Sequence, residues 1–243
     1  MTLYKIMLMI HGGFGGLALI TFWTAGLSRK GSPVHRAAGK IYLLSMLALL
    51  VPALPLAIRL ALSKSLLGGI FLLYLWVIVI TAVWQSWRAI RDKRDWARYT
   101  GPVYRGLAML SIASGLLILI VGVTLATSSQ AIFIGFSAIG LLNGFDMLRF
   151  ARQPPTQPRW WLKEHLGAMI GNGVATHIAF LAIGLPKLLP SLAGPVLQNI
   201  AWLGPLAIAV LARLWLGRRY FPKSAVTQRA PALAAAVDST ASA

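Results

Sequence analysis

Apolar residues along the chain fall into seven runs, each close to the roughly 20 residues that cross about 30 Å of hydrocarbon. The runs cover residues 3–27, 38–62, 66–87, 104–126, 131–150, 161–185 and 196–216, with short polar or Pro/Gly-rich stretches between them. They predict an all-α fold, a polytopic bundle of seven transmembrane helices over residues 1–220. Pro52 and Pro55 each remove a backbone donor and are expected to kink the second span. A tight turn, TSSQ, is expected between the fourth and fifth spans. Residues 221–243 end in APALAAAVDSTASA and predict a disordered cytoplasmic tail with nothing to pack. The first segment, MTLYKIMLMIHGGFGG, has no small-residue cleavage motif after its apolar core, so it reads as a first span rather than a removed signal peptide.

Composition agrees with the pattern. The 243 residues are 58% hydrophobic and 12% charged, with a mean hydropathy of +0.73, whereas a soluble domain carries about 25% charged residues. A net charge of +18 invites a nucleic-acid reading, but the basic residues form no single patch. They recur in alternate connections. The loops after the first, third and fifth spans, together with the tail, hold 19 of the Lys and Arg residues, and the other side holds four. That asymmetry places the N-terminus outside and the C-terminus inside, most simply in a bacterial inner membrane. Trp23, Trp87, Trp160, Trp161 and Trp215 fall near span ends, as interfacial aromatic belts do. There are no cysteines, which excludes disulfides, thiolate metal sites and c-type haem attachment.

Polar residues inside the runs are the candidates for function, because ionisable groups in a membrane are costly. The sixth run, RWWLKEHLGAMIGNGVATHIAF, carries Glu164, His165, Asn172 and His177. The other histidines are His11, in the first span, and His35, at the start of the second. Counting from the loops puts His11 and His177 in the outer half and His35 and His165 at the inner edge. Two stacked sites would follow, His11 with His177 and His35 with His165, taking haem b or a divalent metal. The helical wheel resists a simple stack. Twelve residues separate His165 from His177, about 18 Å along the axis but also about 120° around it. His165 shares its stripe instead with Met169, Asn172 and Thr176.

An inner polar cluster is also expected. Asn143 and Asp146 lie three apart on one face of the fifth span, and with Arg36, Arg149, Glu164 and Asn172 they suggest a network of ion pairs. Asp92 and Asp95, within RAIRDKRDWAR, read as solvated. No P-loop, HExxH or dinucleotide fingerprint is present, and no Ser–His–Asp set stands out.

Two short boxes carry a family resemblance. His35-Arg36-Ala37-Ala38-Gly39-Lys40-Ile41-Tyr42 has the form HRxxGxxY and follows a first helix with His11 and Gly15. Glu164-His165 with Met169 forms EHxxxM. The chain resembles a prokaryotic family of multi-pass predicted membrane proteins of unknown function with an HRxxG box after the first helix. The resemblance implies a helical bundle with His35, Arg36, Gly39 and His165 as family-like positions, and no activity. A looser similarity to haem–copper oxidase assembly proteins and b-type cytochromes rests on histidines in helices. Three functions stay open: haem or metal binding in electron transfer or oxidase assembly, with a membrane redox or assembly partner; a proton-coupled transporter or permease using Asp146, Glu164, His165 and Asn172; and a cofactor-free membrane scaffold.

Overall fold

A computed structural model of the chain describes residues 2–126, 129–192 and 194–220. The expected TSSQ turn and tail therefore lie partly or wholly outside the described residues. The helices are α1 (Leu3–Leu27), α2 (Pro33–Ser63), α3 (Leu66–Arg91), the short α4 (Trp96–Tyr99), α5 (Pro102–Thr124), α6 (Gln130–Phe150), α7 (Trp160–Ile178), a four-residue α8 (Leu185–Leu188) and α9 (Pro195–Tyr220). A π-helical segment, Ala179–Gly184, joins α7 to α8. Among the described residues seven helices, counting Trp160–Leu188 as one, are long and apolar enough to cross a membrane. The described residues contain no strand. This is the architecture of a multi-pass membrane protein.

Local chemistry sets the helix boundaries. After α1 the chain turns at Gly31, whose φ of +80° suits a residue without a Cβ. Ser32 then caps α2 by accepting from the His35 backbone N–H, and Pro33 occupies the first turn, where its missing donor costs nothing. The second span thus begins at Pro33, five residues before the expected edge, and His35 and Arg36 are helical rather than in the loop. Ser65 caps α3, and Asp95 caps α4 by accepting from the Arg98 backbone N–H. Pro102 opens α5.

The two prolines inside α2 leave that helix unbroken but weaken its bonding. Neighbouring helices donate to the turn just before them. His11 Nδ1 of α1 lies 3.1 Å from the Leu49 carbonyl oxygen, and Trp76 Nε1 of α3 donates to the Leu50 carbonyl at 2.9 Å. The acceptors that the prolines orphan are the neighbouring carbonyls of Ala48 and Val51, so His11 and Trp76 add cross-helix bonds beside them.

Helix order in space follows the chain for α1–α2–α3 and α5–α6, and α7 packs along α3 and against α9. The α5–α6 crossing depends on small residues. A Cβ on Gly144 would come within 2.7 Å of the Ala108 carbonyl oxygen, and one on Gly140 within 2.9 Å of that of Ser111, the close approach that small residues permit in membranes. Phe71, Phe133, Phe136 and Trp202 fill one aromatic core. Tyr99, Tyr104, Phe150 and Trp160 fill another, where the basic loops cluster. Tyr42, Met46 and Val83 pack with Phe22 in a third.

Candidate functional site

The polar face of α7 points into the bundle. His165 Nδ1 lies 3.0 Å from the Ser86 carbonyl oxygen of α3. Asn172, fully buried, donates through Nδ2 to the Ser86 hydroxyl at 3.2 Å. One turn on, Thr176 donates to the Asn172 carbonyl at 2.9 Å, which leaves Tyr42 of α2 to donate to Thr176 at 3.0 Å. The stripe of His165, Met169, Asn172 and Thr176 therefore forms a polar seam along α2 and α3. Asn172 Oδ1 is buried in that seam without a donor.

His177 faces elsewhere, as the rotation of the helix requires. Its ring sits between Phe22 and Trp23 of α1, with centroids 5.4 and 5.5 Å away in edge-on packing. Trp23 Nε1 donates to Nε2 at 2.9 Å, and Nδ1 lies 2.7 Å from the Gly173 carbonyl oxygen. One nitrogen accepts and the other donates, so both are occupied and the bonded ring is the neutral tautomer. The structure does not join His177 to His11. Trp23 and His11 are twelve residues, about 18 Å, apart on α1.

His35 and His165 stand differently. His35 Nδ1 reaches the Ala25 carbonyl oxygen at 2.9 Å, one of the last carbonyls of α1, which have no intrahelical partner. Lys30 donates its ammonium to Ala25 and Gly26 at the same helix end, where positive charge is favourable, although burial holds its pKa below the ordinary lysine value. Both His35 and Lys30 lie within electrostatic range of His165. In each imidazole Nδ1–H is spent on a carbonyl. The Nε2 lone pair of each then remains without a protein partner among the described residues. This is how protein histidines are commonly oriented when the other nitrogen binds a metal. His11 has the same bonding pattern, with Nδ1 on the Leu49 carbonyl.

The expected inner cluster does not form one network. Asn143 donates to Met147 Sδ on its own helix. Arg36, Asp146 and Arg149 are exposed, and among the described residues the ion pairs all involve Asp92. Glu164 turns away from His165 toward the aromatic core and accepts from the Tyr99 hydroxyl at 3.4 Å. Asp146 and Arg213 lie within electrostatic range of it. Tyr99 is fully buried; burial first, and Glu164 beside it second, push its phenol above the ordinary tyrosine value. Asp92 corrects the expectation of a solvated carboxylate. It is 4% exposed, gripped by Arg88 from α3, and lies 3.6 Å from Arg98 Nε. Asp95 is the cap of α4. The spacing of Arg88 and Asp92, four apart at a helix end, was the available signal.

Among the described residues no group of three or more His, Asp or Glu side chains is placed to hold a metal ion. Protein-family models, curated proteins and solved structures offer no significant match to the chain.

Proposed function

We propose that this membrane protein binds haem b between His35 and His165 and serves electron transfer or oxidase assembly, with its N-terminus outside and its basic loops inside a bacterial inner membrane. The observation that carries the reading is the state of two ring nitrogens. Each imidazole is anchored through Nδ1 to a backbone carbonyl of another helix, α1 for His35 and α3 for His165. Each keeps Nε2 for a ligand, and the rings lie within electrostatic range of each other. Two imidazoles match the two axial positions of a haem iron. They fall short of the three or four protein ligands that zinc sites use. Lys30 supplies nearby positive charge suited to a haem propionate, and bound haem would supply one-electron redox chemistry.

The test is an absorption spectrum of the full chain purified from haem-replete cells. A Soret band is expected, lost in His35→Ala and His165→Ala and kept in His11→Ala and His177→Ala. A colourless wild-type preparation overturns the reading and favours a cofactor-free scaffold.

A second reading, proton-coupled transport, is favoured by Asn172. Its buried Oδ1 lacks a donor in the middle of the α7 seam, and an internal water is the usual way such a group is satisfied. In that case Asn172→Leu should abolish proton flux into proteoliposomes while leaving the fold intact.

A further inference from the structure

The segment between α3 and α5 builds a cationic depression of about 280 Å³, lined by Arg91, Asp92, Lys93, Arg94, Asp95 and Arg98. Its two carboxylates are already spent. Asp92 is buried and held by Arg88 and Arg98, and Asp95 accepts from the Arg98 backbone N–H at 2.8 Å. Arg91 and Arg94 form no ion pair among the described residues, and Lys93 is engaged only with the Trp161 ring, its ammonium 5.8 Å from the centroid. The depression thus has a net positive lining with two guanidinium groups available for an anion. Arginine forks suit phosphate oxygens.

Position narrows the ligand. Arg91 is the last residue of a helix apolar enough to span the membrane, so the depression opens where the hydrocarbon ends and headgroups begin. The other flank of α4 carries a separate hollow of about 390 Å³, lined by Trp96, Ala97, Thr100, Gly101, Pro102 and Arg105. There Arg105 is tied to the Thr100 and Ala151 carbonyls. The α3–α5 connection therefore presents cations on one side and an indole beside small apolar residues on the other. That combination belongs at a lipid–water boundary.

We propose that Arg91 and Arg94, steadied by the Arg88–Asp92–Arg98 triad, bind the phosphate of an anionic phospholipid headgroup. The site is independent of the histidines.

Native mass spectrometry of the full chain in a neutral detergent, titrated with phosphatidylglycerol or phosphatidylcholine, tests this. Wild type should retain phosphatidylglycerol in preference. The Arg91→Ala/Arg94→Ala variant should bind it roughly thirtyfold more weakly, on the usual contribution of a surface cation to anionic-lipid binding. Arg152→Ala/Arg159→Ala removes the same charge outside the depression and should bind as wild type does. Equal losses in the two variants would reduce the effect to net charge and overturn the site, as would equal retention of phosphatidylcholine. Displacement of the lipid by millimolar inorganic phosphate would overturn the lipid assignment in favour of a free anion. Asp92→Asn, which loosens the triad without removing a cation, should also weaken retention; unchanged retention would overturn the triad's steadying role.

Discussion

His165 and His177 lie on one helix, twelve residues apart, and their bonding leaves them in opposite states. His177 is closed. Trp23 donates to one nitrogen and the Gly173 carbonyl accepts from the other, so the ring acts as a rivet between α7 and α1. His165 is open. One nitrogen is fixed on the Ser86 carbonyl, and the other has no protein partner among the described residues. Depth in the membrane does not separate a structural histidine from a candidate ligand. The count of satisfied ring nitrogens does.

The contrast can be tested first at Gly173, beside the rivet. A Cβ there would come within 2.5 Å of Phe22 Cζ, while Gly171, two residues away, has nothing within 4 Å. Gly173→Ala should cost about 1–3 kcal/mol through overpacking, read as a lowered Tm in detergent. Gly171→Ala should be neutral or stabilising by up to about 1 kcal/mol, from helix propensity alone. Equal effects at the two sites would break the picture of a packed His177 corner. A smaller effect comes from the rivet itself. Trp23→Phe removes one donor and should cost about 1 kcal/mol. In a double-mutant cycle with His177→Leu, a coupling near zero would show that the two rings only happen to meet. The smallest effect belongs to the His165 end. Tyr99 has its folded-state pKa raised, so its contribution is fully present below the unfolded tyrosine pKa, about 10, and is lost as pH rises above it. Tyr99→Phe should flatten that alkaline loss in pH-dependent thermal melts while leaving any Soret band in place.

Much of the fold was legible in the sequence because spanning helices must be long, apolar and internally bonded. Each apolar run became a helix, and the wheel correctly turned His165 and His177 to different sides. What failed was the pairing of His177 with His11 by depth counted from the loops. That method treats all helices as starting at one level. His177 is 17 residues beyond the start of α7, yet its partner Trp23 is four residues from the end of α1. Such an offset depends on packing between distant segments and leaves no local mark. Asp92 was missed for a related reason. A polar run of RDKRD looks solvated until Arg98 folds back over it through the four-residue α4. The role of His11 was hidden as well, since the carbonyl it meets, that of Leu49, belongs to another helix.

The grip of Arg88 and Arg98 on Asp92 has a consequence for assembly. All three residues fall within eleven consecutive positions, so the turn that carries α4 closes with almost no loop entropy. It is complete once α3 and the first turn of α5 have been synthesised, before α6, α7 or α9 exist. The aromatic core that receives Trp160 is thus prepared in advance by Tyr99 and Tyr104, and α7 arrives to a surface already in place. A chain with Asp92→Ala would present α7 with a mobile partner, and its defect should appear as slow or incomplete insertion of the late helices rather than as a lost contact in the finished bundle.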